Sequence, residues 1–341
     1  MDHVRFGTTG LQVSRLCLGC MTYGDPAWRE WVLDEAAALP FIRDAWEAGI
    51  NFFDTADMYS LGASEIVLGR AIKQLARRDE VVIATKVFNP MGPRPTQKGL
   101  SRKHIMEAIN GSLERLQTDY VDLYQAHRYD HETPLEETMQ AFADVVRQGK
   151  ALYIGVSEWT ADQIRAGHAL AKELRIPFVS SQPQYSMLWR VIEGEVVPTC
   201  RELGISQIVW SPVAQGVLSG KYLPGQPPPA GSRATDDKGG ATFIKRLMSD
   251  EILQRVQQLR PVADELGLTM AQLAIAWVLQ NDNVAAALVG ASRPEQVTDN
   301  VKAAGVRIPA ELMTRIDEIL GDLPVTDPAT TARNAPQGRV V

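Results

Sequence analysis

An α/β fold of the (β/α)8 TIM barrel type, with an N-terminal β-hairpin and a long loop at the C-terminal mouth, is what this sequence predicts. Short apolar stretches alternate with amphipathic ones from end to end, the pattern of a parallel sheet with crossover helices. Eight apolar stretches have strand character, and eight is the barrel number. The chain has 341 residues, and barrels commonly run to about 250 residues or more as one unit. Length alone leaves two ordinary domains open.

The opening, Val4-Arg5-Phe6, then Gly7-Thr8-Thr9-Gly10, then Leu11-Gln12-Val13, reads as a hairpin ahead of the repeating units and placed to plug one end of a barrel. Strands are predicted over 16–18, 51–53, 81–84, 120–124, 151–154, 178–180, 207–209 and 286–289. Between them, stretches such as 34–48, 64–75, 102–116 and 135–146 carry apolar residues at helical spacing and form the outer helices. Ser101 is placed to cap one helix, and Gly49 and Gly149 to close two others. The rhythm breaks over 222–243, where Pro227-Pro228-Pro229, Gly231 and Gly239-Gly240 forbid a long helix or strand. A long loop on a compact scaffold reads as a cover over a ligand at the mouth, the alternative being a linker between two domains. The layout is therefore one barrel domain over 1–325 and a tail over 326–341, rich in Pro, Thr, Ala and Arg and expected to be extended or frayed. The only repeat is the loose βα rhythm.

Composition narrows the function. Hydrophobic residues at 45% and charged residues at 22% suit a globular chain with a large core. A net charge of -6 argues against nucleic-acid and anionic-membrane partners, while leaving room for a local basic pocket. No long apolar run follows Met1-Asp2-His3-Val4-Arg5, so neither a secretory signal nor a membrane span is expected, and the cytoplasm is the default. Cys17, Cys20 and Cys200 cannot build a disulfide framework. The Cys17-Leu18-Gly19-Cys20 spacing invites a redox or zinc reading, but no second cysteine or histidine pair completes it, and no metal is expected.

Chemistry gathers at strand ends. Asp54 ends one strand and Tyr59 stands one loop step beyond; Lys86 ends the next strand and His127 the one after. Catalytic residues of barrels converge at that mouth. An ammonium beside a phenol is expected to lower the phenol's pKa and make it a better proton donor, with Asp54 fixing Lys86. A neutral His127 can hydrogen-bond to a carbonyl oxygen that gains negative charge. Taken singly, Asp54 and Lys86 also read as a structural ion pair, His127 as a satisfied polar residue and Tyr59 as a loop aromatic.

Phe53-Asp54-Thr55-Ala56-Asp57-Met58-Tyr59, the Thr85-Lys86 strand end and His127 resemble the tetrad motifs of the aldo-keto reductase superfamily. Gly155-Val156-Ser157, Gln182-Pro183-Gln184-Tyr185, Trp210-Ser211-Pro212 and Gly290-Ala291-Ser292 extend the similarity, in order, over nearly the whole chain. Leu100-Ser101-Arg102-Lys103-His104-Ile105, Leu218-Ser219-Gly220-Lys221-Tyr222 and the stretch 290–300 look like the branch containing voltage-gated potassium channel β-subunits and their bacterial relatives.

The resemblance implies NADPH-dependent reduction of an aldehyde or ketone, with Asp54, Tyr59, Lys86 and His127 as the catalytic group and Tyr59 as general acid. It implies that Ser157 and Gln182 hold the nicotinamide carboxamide, with Tyr185 near the ring. Trp210, Ser211, Pro212, Val213, Ala214 and Gln215 match the pyrophosphate loop, and Lys221 and Arg233 match basic residues of the long loop. Ser292, Gln296, Asp299 and Asn300 match the adenosine end, with Arg293 as a further positive charge. Cys20, Met21, Asp54 and Gly290 complete the cofactor set. An arginine beside a hydroxyl suits a 2′-phosphate, which favours NADPH over NADH; Arg293 also reads as a solvated first-turn residue, and Lys221 and Arg233 as loop charges.

Two departures stand out. Glu158 occupies a position where channel β-subunits are expected to carry arginine, and His127 one where they carry asparagine; the histidine favours a working reductase. No Gly-x-Gly-x-x-Gly fingerprint is present in Gly19-Cys20-Met21-Thr22-Tyr23-Gly24, which fits a barrel holding NADP(H) without a Rossmann unit.

Tyr23, Trp28, Tyr59, Arg128, Trp159 and Trp189 are candidates for the substrate pocket, with Met21, Trp31, Tyr129 and Arg190 nearby. Trp28 and Trp31 read equally as pocket wall or surface cover. Arg128 and Arg190 suit an anionic substrate or ordinary surface salt bridges. The carbonyl substrate itself is not legible. A redox-sensing NADP(H)-binding regulatory subunit with little turnover is the alternative function, and a barrel isomerase or lyase a third. Tetramers and octamers occur among similar proteins, so a homo-oligomer is an open expectation.

Overall fold

The computed structural model describes residues 1–236, 240–291 and 293–338. The opening hairpin forms as expected: β1 (His3–Arg5) pairs antiparallel with β2 (Gln12–Ser14), in a register that sets Val4 opposite Val13. Eight parallel strands then close into a barrel: β3 (Leu16–Gly19), β4 (Phe52–Asp54), β5 (Val82–Val87), β6 (Val121–Ala126), β7 (Ala151–Ser157), β8 (Phe178–Gln182), β9 (Ser206–Val209) and β10 (Val284–Val289). β10 returns to β3, with Leu16 beside Ala287 and Leu18 beside Val289, so the barrel presents no open edge.

Six helices follow six strands in turn: α1 (Glu35–Glu47), α2 (Ala63–Leu75), α3 (Arg102–Leu116), α4 (Leu135–Arg147), α5 (Ala161–Leu174) and α6 (Val196–Leu203). Their ends carry the expected signals. Ser101 accepts from the His104 N–H at 3.3 Å, and Gly49 and Gly149 take the positive φ values, +86° and +71°, that a chain leaving a helix needs. After β9 come α7 (Gly240–Ile244), α8 (Asp250–Gln258), α9 (Arg260–Glu265) and α10 (Met270–Val278); after β10 come α11 (Glu295–Val301), α12 (Ala310–Leu320) and α13 (Ala329–Asn334).

Two cores result. The larger packs the outer face of the barrel against the helices. The smaller lies within the barrel and joins Cys17, Phe52, Val82, Ala84, Leu123, Val179, Ile208 and Ala286 to Phe6 and Val13 of the hairpin. Phe6 is fully buried and meets Phe52 edge to face at 5.8 Å between ring centroids, so the hairpin does plug the barrel floor. That floor is apolar, and the chemistry is left to the other end.

The described residues of 222–249 are irregular except for a single turn at Arg233–Thr235, the short α7 and a further turn at Lys245–Leu247, and they form a lid tied to the strand-end loops through Arg233 on Gln215, Asp236 on Trp31 and Arg246 on Gln184. Of the glycines expected to break this stretch, Gly240 begins α7 and Gly239 lies outside the described residues. The expectation of a frayed tail is overturned over 326–338. Val325 exchanges backbone hydrogen bonds with Leu188 and Arg190, and Asp327 turns the chain into α13 by accepting from the Ala329 N–H at 3.0 Å. Thr330 and Thr331 are buried, and α13 packs against the turn at Val191–Glu193. Residues 339–341 lie outside the described set.

Replacing Phe6 by alanine is expected to destabilise the protein by about 3–5 kcal/mol, because the ring leaves a cavity that a closed barrel cannot collapse to fill. Equilibrium urea unfolding measures it; a loss below about 1 kcal/mol would mean that the hairpin is not part of the barrel core.

Candidate active site

Strand register brings the polar residues together. β4 and β5 pair Phe52 with Val82 and Asp54 with Ala84, and β5 and β6 pair Lys86 with Gln125. Side chains alternate along a strand, so the inward positions of the apolar floor, Phe52, Ala84 and Leu123, are each followed two residues later by Asp54, Lys86 and Gln125. His127 follows β6 directly and is held by its N–H on the Val87 carbonyl at 2.9 Å. Tyr59 stands on a tight turn after β4 in which Ser60 and Leu61 take left-handed φ values of 50° and 48°, a strained geometry that sends the chain sharply into α2.

Lys86 is completely buried, and its three ammonium protons have three acceptors: Asp54 Oδ1, the Thr55 carbonyl at 2.8 Å and Tyr59 Oη at 3.2 Å. The other carboxylate oxygen of Asp54 accepts from Gln182 Nε2 at 2.8 Å and Gln125 Nε2 at 3.2 Å. His127 meets Tyr59 edge to face at 5.8 Å and has Asn89 Nδ2 at 3.2 Å from Nδ1. A neutral imidazole that accepts from Asn89 at Nδ1 carries its proton on Nε2.

Burial pulls the Lys86 ammonium down, but the adjoining Asp54 carboxylate and the Tyr59 phenol more than reverse this and hold it above the ordinary lysine range. Burial, with the charges of Lys86 and Arg128, pushes the His127 imidazole well below its ordinary value, so it is neutral. For Tyr59 the outcome differs from expectation. Burial raises the phenol above its ordinary value, and the Lys86 charge offsets this only in part. The phenol is therefore protonated at neutral pH, held as a donor rather than activated as a phenolate.

Beside this group lies a cradle suited to a polyphosphate. Ala214, Gln215 and Gly216 take successive left-handed φ values of 48°, 59° and 96°, with the Ala214 and Gly216 N–H groups on the Ser211 and Val213 carbonyls at 2.9 Å, so what this tight turn offers a ligand is its side chains and those of the residues around it. Arg233 donates to Gln215 Oε1, and Gln215 Nε2 donates to Ser211 Oγ at 2.6 Å. Lys221 is exposed and lies along Gly216, where an added Cβ would come within 3.2 Å of its Nζ. Pro212 is buried, and Val213 precedes the turn half-exposed. Two cations that form no salt bridge among the described residues, beside a tight turn, fit the pyrophosphate of a dinucleotide. At the far side Gly290 and Arg293 are exposed, the Arg293 N–H meets Gln296 Oε1 at 3.3 Å, and Asp299 and Asn300 follow on α11. Ser292 lies outside the described residues. Over residues 15–321 the sequence matches the Aldo/keto reductase family.

The chain belongs to the aldo/keto reductase family. It is 42% identical over 327 residues to a putative voltage-gated potassium channel subunit beta of Schizosaccharomyces pombe, covering 94% of this chain and 93% of that protein. It is 42% identical over 311 residues to a probable voltage-gated potassium channel subunit beta of Arabidopsis thaliana, covering 90% and 92%. A probable subunit of the same kind from Oryza sativa subsp. japonica is 39% identical over 331 residues, covering 95% and 98%.

Several residues stand elsewhere in this aldo/keto reductase than the sequence suggested. Tyr23 is fully buried against Phe41, at 5.5 Å, and Trp159 is buried against Tyr129, at 4.9 Å, so both fill the core around the barrel rather than line a pocket. Tyr185 is turned into the same core, tilted against Trp277 at 5.2 Å with its hydroxyl on Glu193 at 2.7 Å; Trp210 remains the half-exposed aromatic at the strand end. Trp189 lies under the lid, with the Arg246 guanidinium 4.2 Å from its ring. Trp28 packs on Trp31 at 6.5 Å, and Trp31 donates from Nε1 to Asp236 of the lid at 3.1 Å, so this insertion joins the lid. Ser157 Oγ donates to the Gln182 carbonyl at 2.8 Å. Cys20 is buried and Met21 half-buried in the turn after β3. Cys17, Cys20 and Cys200 are free thiols that burial raises above the ordinary cysteine range. Among the described residues, no helix is long and apolar enough to cross a membrane.

Gln125, Asn89 and the Thr55 carbonyl escaped the sequence reading. Gln125 could have been found by counting back two residues from His127 along its strand; Asn89 carries no such signal, because its partner is fixed only by the fold. Glu158 has a definite role in the wiring. At φ 55° it accepts from the Gln184 N–H at 2.6 Å and from Trp210 Nε1 at 2.9 Å, tying β7 to the loops after β8 and β9.

The depressed His127 pKa has a stability consequence. Between the folded and unfolded values only the unfolded chain takes up that proton, so the contribution is full above about pH 6.5 and is lost as pH falls. The urea midpoint of the wild type is expected to fall between about pH 7 and about pH 5 more steeply than that of His127→Gln; equal slopes would mean that the imidazole titrates as freely folded as unfolded.

Proposed function

We propose that this aldo/keto reductase reduces an aldehyde or ketone to the alcohol, with NADPH as cofactor and the cytosol as its compartment. One observation carries the reading: the fully buried Lys86 spends its third proton on Tyr59 Oη, with the neutral His127 ring 5.8 Å away. Because Oη accepts from Lys86, the phenol's own proton is free to point to the mouth. A carbonyl oxygen seated between Tyr59 and His127 receives a hydrogen bond from His127 Nε2 as charge develops on it, and then the proton of Tyr59. Bound NADPH supplies the hydride. Ser157 and Gln182 would hold its carboxamide, Trp210 would face the ring, the 211–216 loop with Lys221 and Arg233 would hold the pyrophosphate, and Arg293 with Gln296, Asp299 and Asn300 the adenosine end.

A raised phenol pKa suits this direction, because reduction needs the acid protonated. A second reading, an NADP(H)-binding redox-sensing regulatory subunit with little turnover, is favoured by the channel-subunit names of its relatives. Oxidation of NADPH by 4-nitrobenzaldehyde separates the two. Tyr59→Phe is expected to lower turnover by about 10²- to 10⁴-fold while leaving NADPH affinity near the wild-type value. Near-normal turnover in that variant would move the acid elsewhere, and absent wild-type turnover over a broad carbonyl panel would favour the regulatory reading.

A further inference from the structure

The arginines at the mouth are not equivalent. Arg190 is bound by Asp317 at 2.7 Å and by the Met187 carbonyl at 3.0 Å, so it is a structural residue rather than a reader of substrate. Arg246 lies over Trp189, donates to Gln184 Oε1 at 3.3 Å and feels the charge of Glu158. Arg233 is held on Gln215 and over Trp31, and Arg29 lies over Trp28 and Trp31.

Arg128 stands apart. It follows His127 and is half-buried, and its engaged nitrogen, Nη1, donates to the His127 carbonyl at 2.8 Å and to Ser157 Oγ at 3.4 Å. Ser157 in turn donates to the Gln182 carbonyl, and the Gln182 side chain to Asp54, so the guanidinium is wired to the catalytic group. Among the described residues no carboxylate pairs with it. The nearby acid, Glu158, is taken by the Gln184 N–H and the Trp210 indole. Nη1 thus anchors the group through its bonds to His127 and Ser157, and the edge formed by Nε and Nη2 has no partner among the described residues. The Arg128 charge also reaches both Tyr59 and His127.

We propose that Arg128 reads the charge of the substrate: the preferred carbonyl compounds carry a carboxylate or phosphate group that docks on the free edge of its guanidinium while the carbonyl oxygen lies between Tyr59 and His127. This rests on the reductase reading and adds the substrate class to it. A planar fork with two open donors matches a carboxylate or phosphate oxygen pair, and a half-buried cation without a counter-ion gains most from a ligand that brings one. Docking the anionic group also orients the carbonyl, so the charge improves the use of the site as well as the affinity.

The test compares three aldehydes on one scaffold, 4-carboxybenzaldehyde, 4-formylphenyl phosphate and neutral 4-nitrobenzaldehyde, with wild type, Arg128→Met and Arg128→Lys. The wild type is expected to favour at least one charged aldehyde by about ten-fold or more in kcat/KM; Arg128→Met removes that preference, mainly through KM, and Arg128→Lys keeps part of it. Which charged aldehyde is favoured distinguishes carboxylate from phosphate. A wild-type ratio near one, or a ratio unchanged in Arg128→Met, overturns the proposal. So does a weakened NADPH affinity with the ratio intact, which would give Arg128 to the cofactor. Calorimetric binding of 4-(hydroxymethyl)benzoate to NADPH-loaded protein supplies an arm without turnover. If the wild type reduces none of the three aldehydes yet binds this anion about ten-fold more tightly than Arg128→Met does, the reductase reading fails and the anion site stands. Equal binding overturns the anion site.

Discussion

A lysine ammonium carries three protons, and where no water reaches it the protein must supply an acceptor for each. Lys86 meets that demand with one carboxylate oxygen, one backbone carbonyl and one phenol, and much of the surrounding architecture follows. The carboxylate must sit on the neighbouring strand one pleat nearer the floor, as the register of β4 and β5 arranges. The carbonyl must belong to the residue after it, so the chain has to leave β4 at once. The phenol must return from a tight turn, and the left-handed Ser60 and Leu61 form that turn. Removing one member of a buried pair of this kind costs roughly 3–5 kcal/mol, because the other is left charged without compensation.

The same constraint explains why the barrel interior is split. A buried ion pair survives only if its remaining polar atoms are satisfied, so Gln125 and Gln182 are drawn to the free oxygen of Asp54. Those amides need space. Gly155 provides it, since a Cβ there would come within 2.1 Å of Ser180 Oγ and 3.3 Å of the Gln125 side chain. Below that polar layer, Phe6, Phe52 and Leu123 seal the floor. Water excluded from beneath strengthens every electrostatic interaction above it.

The strand order and the tetrad were legible because each depends on short-range pattern: apolar runs for the strands, and polar residues directly after them for the site. The strand ends were read short for the same reason. β5 runs through Thr85, Lys86 and Val87, and β8 through Ser181 and Gln182, although polar residues interrupt the apolar runs there. What depended on burial or on distant partners was not legible. Sequence gives Tyr59 a lysine neighbour and so a lowered pKa; only the packing reveals that desolvation outweighs that charge. Tyr23, Trp159 and Tyr185 carry aromatic surface that serves a core as well as a pocket, and the fold alone decides which. The tail looked frayed by composition because its anchor, Val325 on Leu188 and Arg190, is a backbone pairing that leaves no trace in side-chain chemistry.

Charge at the mouth is sorted rather than merely balanced. Glu158, the departure from the expected arginine, is drawn into the wall by the Gln184 N–H and the Trp210 indole, and Asp236 is tied to Trp31 and the Gly240 N–H. Asp54 is committed to Lys86. These acids therefore face structure, while among the described residues Arg128, Lys221 and Arg233 form no salt bridge with a carboxylate, although Arg233 feels the charge of Asp236. An acid at position 158 also changes what holds the lid, because Arg246, which feels that charge, stacks on Trp189 and donates to Gln184. A basic residue at position 158 would repel Arg246 and leave the Trp210 indole without its acceptor. The substitution that separates this chain from the expected channel-subunit pattern is thus compensated within the loops it touches: the Gln184 N–H, the Trp210 indole and the charge of Arg246 absorb the carboxylate.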